Sequence, residues 1–293
     1  RADITSCWMI QSALPPSCDA IPTTMMKAYP MTFEQISLEE RGPVAWITLE
    51  RPNDLNCLSP IMIDELNRSF DHLESRAEVR CLVLTGRGRA FCAGADLKFI
   101  GDFPPADRDA ETARFLRRAT DLVSRIEAFP KPILAAVNGI ATAGGMELLL
   151  GCDIVIAGEG ARLGDGHANY GLLPGAGATA RLPRRLGLNH AKFLMFTGDL
   201  LSVSNPLLAP LVSMIVPDSD LQEAVDGIAN KLASKSLLGL HHMKQLLNNA
   251  VELALPEAIE AELDVNSTYS SSFDRNEGLA AFRERRVPEF KGA

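Results

Sequence analysis

The chain has 293 residues, of which 46% are hydrophobic and 23% charged, with a formal net charge of −8. That length allows one or two domains around a large core, and the acidic balance argues against the basic stripe of a nucleic-acid binder. No run of about 18 apolar residues occurs, so no membrane-spanning helix is expected, and the six cysteines form no C-x-x-C pair or short His/Cys cluster that would hold zinc.

Residues 1–30 differ from the rest. They carry two cysteines, four prolines and Ser/Thr-rich stretches without a periodic apolar face. They are expected to form a disordered extension, with Met25, Met26 and Met31 each able to start a shorter chain. From Phe33 the signals alternate. Residues 33–39 and 44–49 read as a hairpin around Arg41-Gly42-Pro43, with Ala45, Ile47 and Leu49 alternating as in a half-buried strand. Ser59-Pro60 is an N-cap followed by proline at the first helical position, and the helix runs to about Arg76. Residues 79–85 are a buried strand candidate, followed by a Gly-rich loop over 86–94 and a polar segment over 101–109. An amphipathic helix over 110–128 ends before Pro130. Residues 132–137 and 153–157 read as strands and 144–150 as a short helix; after about Leu186 the chain reads as mostly helical. Cys81 and Cys152 sit in apolar runs as buried thiols, and this cysteine usage fits a reducing, cytoplasmic location. The strand–strand–helix order predicts an α/β core with a helical tail.

Two small-residue turns hold the chemistry. Phe91-Cys92-Ala93-Gly94-Ala95-Asp96-Leu97 follows a buried strand. Asn138-Gly139-Ile140-Ala141-Thr142-Ala143-Gly144-Gly145-Met146-Glu147 links a strand to a helix. Taken singly, each reads first as a tight turn. Together, two turns that bring backbone N–H groups close to a ligand, one of them at a helix start, could make an oxyanion hole.

The flanking text is more specific. Arg51-Pro52 with Asn56 and Leu58, the 91–97 turn, Lys131-Pro132 through Asn138-Gly139, and Gly144-Gly145-Met146-Glu147-Leu148 come in order. Cys152-Asp153, Gly171-Leu172-Leu173-Pro174-Gly175-Ala176-Gly177, Arg181-Leu182-Pro183-Arg184, Thr197-Gly198-Asp199 and Glu277-Gly278-Leu279 follow. In this ordered text, spanning residues 33–293, the chain resembles the crotonase (enoyl-CoA hydratase/isomerase) family. The resemblance implies a crotonase-like spiral over residues 31–220 that binds an acyl-CoA thioester. It also implies a C-terminal α-helical region over 221–293 that assembles homotrimers, commonly paired as hexamers. It implies no cofactor beyond the coenzyme A of the substrate, no metal, and no nucleic-acid or membrane partner. The N–H groups of Ala95 and Gly144 would form the oxyanion hole. Ala93, Ala95, Asp96, Leu97 and Lys98 would line the coenzyme A side, and Lys291 would reach coenzyme A, often across a subunit boundary. Arg87, Arg89 and Lys98 are further candidates for its phosphates.

Family hydratases use two glutamates to deliver water. Glu147 matches the first, three residues after Gly144 and so on the same helix face, where the helix dipole would favour its ionised form. The register set by Gly164 and Gly171 puts His167 in the place of the second. An imidazole also accepts and donates protons near neutral pH, and Asp165 and Tyr170 are nearby substitutes. Ala143 replaces a frequent glycine, and Asn205-Pro206 with Pro210 replaces a family helix that Pro210 should shorten. Three readings follow: addition of water to a 2-enoyl-CoA, another enolate reaction (isomerisation, thioester hydrolysis, decarboxylation or carbon–carbon cleavage) using His167, or a non-catalytic acyl-CoA binding protein.

Overall fold

The computed structural model describes residues 32–292, and the extension expected over 1–30 lies outside them. The chain opens with the antiparallel hairpin β1 (Ile36–Arg41) and β2 (Val44–Leu49), then α1 (Pro60–Ser75). The helix begins where the sequence signals it, with Ser59 Oγ accepting the Met62 N–H at 3.1 Å and Pro60 needing no donor of its own. Next come β3 (Cys81–Gly86), β4 (Ala90–Cys92), α2 (Leu97–Gly101) and α3 (Arg108–Ala128). β5 (Ile133–Val137), β6 (Ile140–Thr142) and α4 (Gly144–Gly151) repeat the pattern. β7 (Ile154–Gly158), β8 (Arg162–Gly164) and α5 (Ala178–Leu186) repeat it again. α6 (Leu188–Thr197), β9 (Leu201–Ser202) and β10 (Met214–Val216) follow. The chain finishes with α7 (Leu221–Ala233), α8 (Leu237–Ala250), α9 (Leu255–Tyr269) and α10 (Phe273–Glu284).

Each turn of the repeat sends its first strand to one sheet and its second to another. The larger sheet has the order β1-β2-β3-β5-β7-β10 and is parallel from β2 onward; the smaller is β4-β6-β8-β9. β4, β6 and β8 are three residues each and fall where the sequence shows Gly-rich turns, so the second sheet is not visible in periodicity. β9 and β10 likewise interrupt the stretch expected to be mostly helical. A single-turn 3₁₀ helix, Pro206–Leu208, is all that stands before Pro210, as that proline demands.

Alternating strand residues feed two cores. Ala45, Ile47, Leu49, Leu82, Leu84 and Ala135 face a cluster built with α1, α3 and α4. Val44, Trp46, Cys81, Val83, Leu134 and Ile156 face Leu221, Val225 and Ala229 of α7. Trp46 Nε1 also donates to Asp226 on α7 at 2.9 Å. The apolar face of α7 is therefore spent within the chain, and the helices free to associate begin at α8. Cys81, Cys92 and Cys152 are buried free thiols whose pKa values burial pushes up to about 12.

Candidate active site

The loop after β2 sets the first turn of the site. Buried Asn56 accepts the Arg51 N–H at 2.9 Å and donates to the carbonyls of Arg87 and Ala90 at 3.0 and 2.7 Å, pinning this loop against the β3–β4 connection. Leu58 then donates to the Gly94 carbonyl at 2.7 Å and accepts the Asp96 N–H at 2.9 Å. Consecutive N–H groups of an extended segment face opposite sides, so the Ala95 N–H points away from Leu58. Asp96 caps α2 through the N–H groups of Lys98 and Phe99 and takes the Arg51 guanidinium at 2.8 Å.

The second turn comes from β6 into α4. Gly145 packs on the end of β4 so closely that a Cβ there would lie 1.9 Å from the Cys92 carbonyl oxygen, which no side chain tolerates. This approach brings the two turns together. The position of a Gly144 Cβ is 3.3 Å from the Ala95 nitrogen. Gly144 is the first residue of α4, whose leading N–H groups have no intrahelical acceptor. Two backbone donors thus stand side by side at a helix N-terminus, an arrangement suited to an oxyanion.

Glu147, one turn into α4, is 3% exposed. Its Oε1 accepts the N–H groups of Ala176 and Ala178 at 2.7 and 3.0 Å, at the start of α5. Burial raises its pKa above the usual 4.5 and outweighs those two donors and the pull of His167. Desolvation thus opposes the ionised form that a place at a helix start favours.

His167 opens a short 3₁₀ turn (His167–Tyr170) after β8. Its ring Nδ1 lies 3.0 Å from Asp165 Oδ2. Burial, the largest influence, lowers its pKa, but the Asp165 hydrogen bond and the charges of Asp165 and Glu147 together raise it above the ordinary 6.5.

Ala95 and His167 border a cavity of about 290 Å³ with a mainly apolar wall, whereas Gly144 and buried Glu147 are not among its lining residues. Ala93, Ala95, Leu97, Ala143, His167 and Tyr170 line it, with Ile100, Leu116, Leu172 and Leu200 supplying apolar surface. Asp96 and Lys98 face the other side of α2's first turn, where Lys98 meets Asp54 at 3.2 Å, and Arg87 is paired with Glu50. Lys291 stands apart: its ammonium lies 4.4 Å over the Phe273 ring and its backbone N–H donates to buried Asp274 at 2.7 Å. Asp165 is the residue that sequence reading undervalued. Its spacing two residues from His167 was the available signal. No group of three or more His, Cys, Asp or Glu side chains placed to hold a metal occurs among the described residues, and no helix among them is long and apolar enough to cross a membrane.

A family profile described as enoyl-CoA hydratase/isomerase matches residues 39–293. A mitochondrial enoyl-CoA hydratase from Pongo abelii is 38% identical over 262 residues, covering 88% of each chain. The 2,3-dehydroadipyl-CoA hydratase of Escherichia coli K12 is 36% identical, over 89% of this chain and all of that one. The crystal structure of an enoyl-CoA hydratase from Bacillus anthracis superimposes with a TM-score of 0.84 at 35% identity, over 89% of this chain and all of that one. With the two-sheet spiral and the paired N–H donors, these matches establish that the chain belongs to the enoyl-CoA hydratase/isomerase family of the crotonase superfamily.

Proposed function

We propose that the chain adds water to a 2-enoyl-CoA thioester. The observation that carries this reading is the convergence of a buried carboxylate and an imidazole, each feeling the other's charge, beside two N–H groups with no backbone acceptor among the described residues. The thioester oxygen sits against the Ala95 and Gly144 N–H groups, which stabilise the negative charge that develops there when the β carbon is attacked. Glu147 takes a proton from water as its oxygen bonds to that carbon. His167 gives a proton to the α carbon as the enolate collapses to the thioester. The proton on Glu147 then returns to His167 through solvent, so one water is consumed and the enzyme is regenerated. Coenzyme A enters as part of the substrate, and no other cofactor takes part. The apolar cavity wall suits a hydrocarbon acyl group.

The test is incubation with crotonyl-CoA and longer or aromatic enoyl-CoAs, following loss of the conjugated thioester absorbance. Glu147→Gln keeps the hydrogen bonds to Ala176 and Ala178 within reach but cannot take the proton, and should lower kcat about 100-fold or more. Persistence of the absorbance with every substrate, or a fully active Glu147→Gln, overturns the proposal.

The pairing of His167 with a buried carboxylate favours one second reading, another enolate reaction on the same thioester. His167→Glu separates the two. It preserves or raises hydration if the family reaction runs here, and abolishes turnover of the native substrate if the imidazole serves a different step.

A further inference from the structure

One buried carboxylate at the site has no part in the reaction as written above. Asp165 is 1% exposed in the loop after β8. Its Oδ2 accepts the backbone N–H of His167 at 3.4 Å and meets ring Nδ1 at 3.0 Å, while its Oδ1 is buried without a partner among the described residues. Gly166 between them has φ +70°, and a Cβ there would come within 2.7 Å of Thr142 Oγ1. Glycine thus allows the sharp fold that brings a carboxylate under the ring two residues on. Burying a carboxylate with one oxygen unpartnered costs free energy that apolar packing does not return, whereas a close imidazolium offsets it. His167 lines the cavity, and the hydrogen bond its ring makes among the described residues is the one from Nδ1 to Asp165. The charges acting on the ring are Asp165 on its own loop and Glu147 on α4; α6, packed against this turn, carries His190 and Lys192, neither of which is among them, and Tyr170 is the other ionisable side chain lining the cavity.

We propose that Asp165 is a positioning residue that accepts the Nδ1–H of His167 in both the imidazolium and the neutral ring, so that Nε2, on a ring that lines the cavity, is the atom that loses and regains the proton. This rests on the reading of His167 as the proton donor. The tautomer of a histidine is set by the hydrogen bond its other nitrogen makes, and a buried aspartate on Nδ1 also stabilises the imidazolium. In the reaction the Nε2–H bond breaks and a C–H bond forms at the α carbon. The ring is left neutral with Nδ1–H still on Asp165, and Nε2 is reprotonated with the proton Glu147 took from water. No proton passes to Asp165 in this step.

Asp165→Asn keeps the size but removes the charge, and its amide can donate to Nδ1 and select the wrong tautomer. The experiment measures kcat and KM for crotonyl-CoA from pH 5 to 9 (or for whichever enoyl-CoA the panel shows is turned over) in the unsubstituted protein, Asp165→Asn, His167→Gln and the double variant. Because the reaction needs the imidazolium, the rate falls as pH rises through the His167 pKa. Loss of the Asp165 charge lowers that pKa and moves the alkaline limb to lower pH. The expected result is a kcat drop of about 100-fold with KM within about threefold, a shifted limb, and no further loss when Asp165→Asn is added to His167→Gln. If His167→Gln alone is fully active, the proton-donor reading falls and this proposal with it. If His167→Gln is impaired while Asp165→Asn leaves kcat and the limb unchanged, the positioning role is overturned and the His167 reading stands. Long-range proton–nitrogen NMR of the unsubstituted protein, with His167 assigned from its loss in His167→Gln, decides the matter even where a variant folds poorly. A neutral ring protonated on Nδ1 is expected, and one protonated on Nε2 overturns the proposal.

Discussion

Ala143 stands at φ +50° and ψ −121° immediately before the Gly144 donor, a conformation open to glycine and strained for any side chain. Holding a residue there costs about 1–3 kcal/mol, and the packing of α4 against β4 imposes it. The methyl also faces the Gly94 turn: a Cβ on Gly94 would lie 2.9 Å from it. Ala143→Gly removes the strain but adds freedom to the unfolded chain, worth about 0.4–1 kcal/mol. The balance predicts a stabilisation of about 1 kcal/mol, read as a rise in the denaturant midpoint. A fall would show that the methyl's packing on the cavity wall outweighs the backbone strain. At this same scale motif position singles out Glu147 and His167 as candidates. Proximity to a helix start is legible in sequence; the depth of burial that opposes ionisation there is not.

Between elements, one joint that ties α8 to the spiral is an ion pair. Lys244 of α8 donates to Asp153 Oδ2 at 2.9 Å and to the Ile126 carbonyl at 3.2 Å, and Asp153 Oδ2 also accepts the Ile133 N–H at 2.7 Å. α8, the end of α3 and the starts of β5 and β7 thus meet at one ion pair. Burial raises the pKa of Asp153 despite the lysine, so the pair holds it charged at a desolvation cost. Lys244→Met should destabilise the fold by about 2–4 kcal/mol by stranding that carboxylate. Adding Asp153→Asn should recover part of the loss, because the two effects share one interaction. Additive losses in chemical denaturation would show that the two groups act separately. Asp153 was legible as part of a motif, but its partner lies 91 positions away and shares no local pattern with it.

Across the whole molecule, α8 and α9 leave apolar stripes in solvent. Met243 and Leu247 on α8 and Val251 at its C-cap recur every fourth residue, and Leu255, Ile259 and Leu263 do so on α9, each about half exposed or more. Such i, i+4 rows are the face of a helix that packs against something. We propose that they pack against copies of this chain, as the sequence resemblance implies, in a trimer or a pair of trimers. Sedimentation at micromolar concentration should give a species of at least three chains, and Leu247→Glu with Leu255→Glu should shift it toward monomer. A monomeric unsubstituted protein would contradict this and would also end the expectation that Lys291 serves a neighbouring site.

The sequence by itself determined the strand–strand–helix order, the α1 cap at Ser59-Pro60, the two donor turns and the position of Glu147. These are local facts, written in residues within a few positions of one another. Tertiary structure alone decided that β4, β6 and β8 form a second sheet, because three-residue strands between glycines carry no readable period and become strands only when successive turns of the spiral align them. It also decided that α7 belongs to the core, and that Asp96 and Arg51 hold each other at the start of α2. It set the Glu147 pKa, since desolvation depends on everything packed around a group. And it brought Asp165 under His167, a contact the two-residue spacing permits but only the αL glycine between them and the wall of the second sheet enforce.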